Sequence, residues 1–209
     1  FCAGPIVLLS NVHVHLQAGA QIYFSNQVDD YAKYGSIDCG ERGRLVISRW
    51  QSNDCLNYCP MVYAYGQSNI ALTGEDWSSI LNGQGGVPFS LSNEEGQSQD
   101  CWWTWKGKQR TLNSIGQGKS ANFVAGMMSE NTVNALNARS LAALRQDLLE
   151  DDRLRIQGEG ERWRADASYL PALSEAGVPL AQRVFGKGHF LRPPMIQFIA
   201  CDRVLLRGY

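Results

Sequence analysis

Few side chains in this sequence are candidates for catalysis or metal binding. Two pairs of adjacent acids, Asp29-Asp30 and Asp151-Asp152, could supply carboxylates for acid–base work. The chain has three histidines, which are too few and too scattered to form a zinc set. None of the six cysteines forms a CxxC motif. The sequence therefore predicts no metal site and no cofactor.

The cysteines leave two interpretations open. Cys55 and Cys59 form the only close pair. An even number of cysteines fits disulfides in an exported protein. Buried thiols fit equally well, above all for Cys201, which lies at a predicted corner between strands.

An aromatic run is found at Cys101–Trp105, CWWTW, which holds three of the six tryptophans. Indole faces suit the apolar faces of pyranose rings, and they also pack well in cores. The run therefore predicts either a sugar-stacking wall or a packed insertion.

Short strands are the main secondary structure that the sequence pattern predicts. Met61–Glu75 and Met195–Tyr209 align without gaps, and each has alternating apolar residues, a polar corner, more alternating apolar residues and a glycine. Ile6–Gly19 is a looser copy with its corner at Ser10-Asn11. Repeated strand–corner–strand units predict a solenoid in which coils stack. Unrelated hairpins are the alternative.

The segments between the repeats lack this pattern. Ser25–Gln51 is predicted to be a loop excursion. Asn131–Glu150 has helical apolar spacing, and Leu170–Ala176 predicts a second helix ended by the following glycine. Residues 111–190 are thus expected to form a mixed, partly helical insertion within a single domain that covers residues 1–209.

Composition excludes several classes of protein. Hydrophobic residues make up 44% and charged residues 19%, which is typical of a globular chain. A net charge of −1 gives no electrostatic basis for binding nucleic acid, and no apolar run is long enough for a membrane helix. Both ends fall inside strand-like patterns, so we expect an internal piece of a longer protein.

Five blocks follow one another along the chain: GPIVLLSNVHVHLQAGAQIYFS, RWQSNDCLNYCPMVYAYGQSNIALTGE, NGQG, CWWTWKG and LRPPMIQFIACDRVLLRGY. In order and spacing they resemble the amino-terminal half of bacterial members of glycoside hydrolase family 28, the polygalacturonases and related pectin-degrading enzymes. The resemblance covers chiefly Gly4–Gly85 and Val184–Tyr209. It implies an all-β fold, an incomplete right-handed parallel β-helix, in agreement with the solenoid predicted from the repeats.

The family's catalytic signature is absent from this chain. That signature is an Asn-Thr-Asp block, an Asp-Asp pair, a Gly-His-Gly and an Arg-Ile-Lys, and the resemblance implies that it lies beyond Tyr209. Neither acid pair stands in the family's context, so neither receives a catalytic role. Gly188-His189 lacks the second glycine, and Arg155-Ile156 lacks the lysine. We therefore expect no catalytic residue here, and an isolated chain that is inactive.

The resemblance implies inverting hydrolysis of α-glycosidic bonds in galacturonan, with two separated aspartates and a Lys/Arg pair for the galacturonate carboxylate. The expected partner is a pectic polysaccharide or oligogalacturonide, bound by a monomer outside the cell or in the periplasm. Part of one cleft wall is expected in this chain, and packing or surface pairing is the alternative for each candidate. The candidates are Arg49, Trp50, Tyr58, Trp102, Trp103 and Arg192.

Two other functions share the coil pattern. A pectate-lyase-like β-helix would use calcium and would need clustered acidic ligands on a strand face, which the sequence does not show. A non-catalytic β-solenoid, either carbohydrate-binding or adhesin-like, would not be expected to carry the ordered WW and RPP blocks. Within the hydrolase interpretation, the long insertion could block one end of the cleft and favour exo action.

Overall fold

The computed structural model describes residues 1–89, 101–105, 146, 149 and 166–208. These residues form mainly short strands, with three short α-helices and two 3₁₀ turns at Gly40–Arg42 and Leu180–Gln182. In chain order the strands and helices are β1 (Cys2–Ala3), β2 (Ile6–Val7), β3 (His13–Leu16), β4 (Gln21–Phe24), α1 (Val28–Tyr31), β5 (Ile37–Asp38), β6 (Arg44–Trp50), β7 (Asn53–Asn57), β8 (Val62–Tyr65), β9 (Ser68–Gly74), β10 (Ile80–Asn82), α2 (Trp102–Trp105), α3 (Asp166–Glu175), β11 (Val184–Phe185), β12 (Ile196–Ile199) and β13 (Asp202–Arg207).

Three parallel sheets are built from successive passes of the chain. Their strand orders are β1-β4-β10, β12-β8-β2 and β13-β9-β3, and every pairing in them is parallel. Ile196 lies opposite Val62, and Val204 lies opposite Ile70. These are the same residue pairs as in the gapless alignment of the last two repeats. The structure therefore confirms that alignment.

The first repeat departs from that register at its corner. Ile6 pairs with Val62, whereas His13 pairs with Ala71. The first pass therefore reaches its second strand with two fewer residues than the second pass uses. The shorter corner explains why this copy aligned less well in the sequence.

The corners themselves stack on one another. Asn11, Asn69 and Arg203 all have positive φ, at 65°, 55° and 52°. Asn69 Nδ2 donates to Asn11 Oδ1 at 2.9 Å, and Arg203 Nε donates to Asn69 Oδ1. Asparagine tolerates this left-handed conformation, whereas arginine is strained in it. The stack therefore links the three passes, although Arg203 is less favourable than asparagine in the left-handed conformation of its corner.

The core lies between the sheets and follows from strand alternation, because inward residues on successive passes cover one another. Burial of each large apolar side chain contributes roughly 1.5–3 kcal/mol. The buried members on or next to the parallel strands include Leu8, Leu16, Phe24, Val62, Ile70 and Leu72.

The prediction of a loop excursion at Ser25–Gln51 is wrong. This segment contains helix α1 and strands β5 and β6, and β6 pairs antiparallel with β7. The two-residue turn between β6 and β7 has positive φ at both Gln51 (46°) and Ser52 (67°). A turn of this kind is normally marked by Asn-Gly, and Gln-Ser carries no such hairpin signal.

The β6–β7 hairpin packs onto the outer side of the β12-β8-β2 sheet. Ser48 Oγ donates to Gln197 Oε1 at 2.8 Å, and Gln197 Nε2 donates to the carbonyl of Arg49 at 2.8 Å. Tyr63 Oη donates to the carbonyl of Ile47 at 2.6 Å. The hairpin is therefore fixed to the second and third passes together.

Helix α3 confirms the helix predicted at Leu170–Ala176 and begins earlier, at Asp166. It ends in a Schellman arrangement, because Gly177 has a φ of 64° and Val178 N donates to the carbonyl of Leu173 at 2.9 Å. The helix predicted at Asn131–Glu150 lies outside the described residues except for two helical positions. The insertion over 111–190 stays a prediction.

None of the six cysteines, all of which lie in the described part of the chain, forms a disulfide. Cys55 and Cys59 are the buried ones, whereas Cys201 is partly exposed. Burial raises the pKa of both Cys55 and Cys59 to about 12. The interpretation as buried thiols is therefore correct for Cys55 and Cys59, but not for Cys201.

None of the described helices has the length and apolar character needed to span a bilayer.

Replacement of Arg203 with Asn should raise stability. Asn adopts the left-handed corner at lower cost and can still donate to Asn69, while the lost pair between Arg203 and Asp202 is exposed and weak. We expect a gain of about 0.5 kcal/mol and a rise of roughly 1–3 °C in Tm. Arg207→Asn on the same strand is the control and should give no gain. A lower Tm for Arg203→Asn would contradict the strain argument.

Cys55 and Cys59 should resist alkylation in the native protein. Burial shields Cys55 and Cys59 and keeps their thiolate fractions very small at pH 8, so iodoacetamide should label them at least about a hundredfold more slowly than the exposed Cys2. Because both pKa values are raised, these thiols stabilise the fold below about pH 8.5 and lose this effect as the pH rises toward 12. Peptide mass spectrometry with and without urea measures the labelling; equal native rates would refute the assignment.

Candidate functional site

The candidate site forms where three segments meet: the turn after β10, helix α2 and the chain entering β12. Arg192 places its guanidinium carbon 4.6 Å from the centroid of the Trp103 ring. Trp103 N donates to the carbonyl of Gly85 at 3.2 Å, and a Cβ at Gly85 would lie 2.8 Å from Trp103 Nε1. Only glycine lets the indole lie so close to the turn, and this fixes the surface on which the arginine stacks.

Helix α2 is held by aromatic packing. Trp102 is buried and meets Tyr31, Phe89 and Trp105 edge-on at centroid distances of 5.4, 4.9 and 6.3 Å. Edge-to-face contacts of this kind each contribute roughly 0.5–1.5 kcal/mol beyond burial. Because Trp102 anchors the helix, Trp103 projects outward, with 57% of its surface exposed.

A buried carboxylate–imidazole pair fixes the segment that precedes Arg192. His189 Nδ1 lies 2.8 Å from Asp166 Oδ1, and both side chains are almost fully buried. Phe190 N donates to Asp166 Oδ2 at 2.6 Å, and the Phe190 ring packs on Trp105 at 4.8 Å. The start of helix α3 therefore holds the chain that carries the arginine.

The same segment is pressed against the backbone on its other side. Lys187 N donates to the carbonyl of Arg42 at 3.0 Å. A Cβ at Gly186 would lie 2.1 Å from that carbonyl oxygen. This close approach needs glycine and leaves the segment little freedom to move.

Arg49 is exposed on the β6–β7 hairpin, but its charge is already paired. Arg49 Nε lies 2.6 Å from Asp54 Oδ1, and this hydrogen bond raises the pKa of Arg49. Its backbone N–H also donates to Gln197 Oε1 at 3.3 Å. Of the two candidate arginines, Arg49 is thus the one bound to a carboxylate.

The remaining candidates differ in exposure. Tyr58 and Trp102 are buried, and burial raises the pKa of the Tyr58 hydroxyl. Trp50 is half-buried and packs against the cluster around helix α3. Tyr58 and Trp102 therefore have no surface for a sugar ring, and we assign both to packing.

The acid pair Asp29-Asp30 is engaged in surface contacts. Asp30 accepts from Ser25 Oγ at 2.6 Å and pairs with Lys33 at 3.0 Å, and these bonds lower the pKa of Asp30. A general acid needs a raised pKa, so Asp30 has the wrong environment for that role. Asp29 lies 3.6 Å from Lys187. Asp151-Asp152 lies outside the described residues.

Across the described parts of the chain, no group of three or more His, Cys, Asp or Glu side chains is arranged to hold a metal ion.

The residues that position the site were not predicted from the sequence. They are Gly85, Asp166 and His189. No local pattern marks them, because each acts on a residue distant in the chain. The structure brings Trp103 and Arg192 into contact and leaves Arg49 and Trp50 on the hairpin.

No protein-family model and no curated protein matches the chain. Among solved structures, the chain is similar to a hyperthermoactive exopolygalacturonase from Thermotoga maritima, with 28% identity and a TM-score of 0.51. The match covers 99% of this chain and 30% of the exopolygalacturonase chain. The similarity supports a fold like that of glycoside hydrolase family 28 and a coarse relationship to glycosidases. This chain spans less than a third of the length of that enzyme.

Replacement of Asp166 with Ala should destabilise the protein by about 3 kcal/mol, because it leaves His189 and the Phe190 N–H without their buried acceptor. Urea denaturation followed by tryptophan fluorescence measures this change. Asp166→Asn should cost less because one acceptor remains. Glu175→Ala, on the exposed face of the same helix, is the control and should change stability by less than about 0.5 kcal/mol. Equal effects for the two alanine variants would exclude the proposed anchoring role.

Proposed function

We propose that this chain is part of a polygalacturonase-like glycoside hydrolase that cleaves α-glycosidic bonds in galacturonan. Its three parallel sheets, in this proposal, are the faces of a right-handed parallel β-helix. Support comes from strands that recur on each sheet in successive passes and from the similarity to an exopolygalacturonase over nearly the whole chain. We further propose that the protein acts outside the cytoplasm, because polymeric pectin cannot cross a membrane unaided.

The observation that carries the substrate class is the stack of Arg192 on Trp103. The guanidinium is oriented by the ring, and no carboxylate among the described residues pairs with it. A guanidinium presents paired N–H donors that match a carboxylate bidentately. Galacturonate carries one carboxylate on each sugar, so an oriented, unpaired arginine suits this substrate better than it suits a neutral sugar.

The reaction proposed for the whole enzyme is inverting hydrolysis. One protonated carboxyl donates to the glycosidic oxygen, and a carboxylate on the other side of the bond activates water. Because Asp30 has a lowered pKa and Asp29 lies near Lys187, we assign neither to these roles. The proposal gives this chain a substrate-contacting wall and assigns the catalytic carboxyls to another part of the enzyme.

A non-catalytic carbohydrate-binding role is the second candidate. It is favoured by the same stack, because Arg192 and Trp103 could hold an oligogalacturonide without any catalytic carboxyl nearby. A reducing-sugar assay on polygalacturonate with the protein that contains this chain separates the two. Release of saturated reducing ends supports the hydrolase. Binding of polygalacturonate without such release supports the non-catalytic binding role, and unsaturated products would indicate a lyase.

Replacement of Arg192 with Gln should weaken the binding of an oligogalacturonate to the chain about tenfold, because it removes a charge-assisted contact worth roughly 1.4 kcal/mol. Isothermal titration calorimetry at low salt measures the affinity. Arg192→Lys should lose less, since it keeps the charge but not the fork of donors.

The matched control is Arg49→Gln, which removes an arginine that is already paired with Asp54. It should change the affinity by less than about twofold. A neutral galactose oligomer should bind weakly to all variants. Equal binding of the acidic and neutral oligomers, or equal losses for the two arginine variants, would overturn the assignment of Arg192.

A further inference from the structure

Two histidines lie side by side on the outer face of strand β3. His13 and His15 are two residues apart on one strand, so both project from the same face. Both are exposed, and their ring centroids are 5.8 Å apart with an interplanar angle of 66°. They lie on the opposite side of β3 from the buried Leu16.

Both rings turn toward one hydroxyl group on the neighbouring strand. His13 Nε2 lies 2.7 Å from Thr73 Oγ1, and His15 Nδ1 lies 2.8 Å from the same oxygen. Thr73 is directly opposite His15 in the parallel pairing of β3 with β9, and it is 8% exposed. The nearly buried hydroxyl therefore holds two ring nitrogens from different residues close to each other.

The Thr73 hydroxyl has too few protons to donate to both imidazole rings. A threonine hydroxyl has one proton to donate and two lone pairs to accept with. It can donate to only one of the two rings, so the other ring must direct an N–H at the oxygen. A metal ion can take the place of that proton, because imidazole binds metals through the deprotonated nitrogen.

We propose that His13 Nε2 and His15 Nδ1 form a binding site for a divalent late first-row metal ion, such as Zn²⁺, Cu²⁺ or Ni²⁺. Imidazole nitrogens suit these ions, whereas they suit Mg²⁺ and Ca²⁺ poorly. The Thr73 oxygen faces the metal position, and water completes the coordination. No step of the function proposed above uses this site.

The charges nearby set the strength of the site. Arg207 lies in register beside Thr73 on strand β13, and its positive charge opposes a bound cation. Glu75 follows two residues after Thr73, and its carboxylate accepts from Ala18 N at 2.8 Å. With two protein ligands and an arginine nearby, the site binds more weakly than a closed four-ligand zinc site.

Metal binding at this position couples the first two passes of the chain. His13 and His15 belong to β3, and the hydroxyl that orients them belongs to β9. A ligand that binds only the folded state stabilises it by mass action. Because both metal ligands lie on β3 and Thr73 on β9 orients them, a bound ion stabilises the β3–β9 pairing by favouring the folded state.

The first experiment is a Zn²⁺ titration of the chain followed by long-range ¹H–¹⁵N spectra of the imidazole rings. The chain has three histidines, and the third, His189, is buried beside Asp166 and serves as an internal reference. The titration uses the Cys2→Ser background, because Cys2 is an exposed thiol that could also bind the metal. We expect the His13 and His15 signals to shift together at one equivalent, while the His189 signals stay in place.

Calorimetry on variants tests the pair. His13→Gln and His15→Gln should each raise the apparent dissociation constant for Zn²⁺ at least tenfold. The matched control is the double variant His15→Gln/Gln17→His, which keeps three histidines but moves one beyond the end of β3. It should bind as weakly as His15→Gln. Unchanged affinity in either single variant, restored affinity in the control, or failure of the His13 and His15 signals to shift would overturn the proposal.

Discussion

Parallel pairing in a fixed register between successive passes keeps the apolar side chains of the repeats in one core. Along a strand the side chains alternate between faces, so a slip of one residue would move Ile70 and Leu72 from the core to the solvent. The corner residues oppose such a slip, because Asn11, Asn69 and Arg203 can bond to one another only when the passes are aligned. The corners thus fix the register that the core requires.

That constraint concerns only the strands and leaves the connections free. The chain runs from β4 to β8 through a hairpin and from β10 to β12 through a much longer segment, yet β8 and β12 pair in direct register. Lengthening a connection costs little free energy once the paired strands are formed. Residues that could contact a ligand, such as Arg192 and Trp103, therefore lie on the connections, while the repeats provide the rigid support.

The sequence predicted what depends on local periodicity and missed what depends on distant partners. Alternation identified the repeats and the register of the last two, and the glycine after α3 marked the end of that helix. The β6–β7 hairpin was missed because Gln51-Ser52 adopts positive φ without the usual turn residues. His13 and His15 share one face of β3, but Thr73 comes from the next pass, so their convergence on its hydroxyl could not be predicted.

Arg192 and Arg49 show how the same residue type takes different roles in one fold. Arg49 meets Asp54 across a hairpin, and its charge is largely satisfied before any ligand arrives. Arg192 is oriented by an indole face, which positions the guanidinium without neutralising it. An arginine that is already ordered by packing loses less side-chain entropy when a ligand binds, and its N–H donors stay available for a carboxylate. Arg49 is exposed and Arg192 is half-buried, but the difference that matters for binding is what holds each side chain in place.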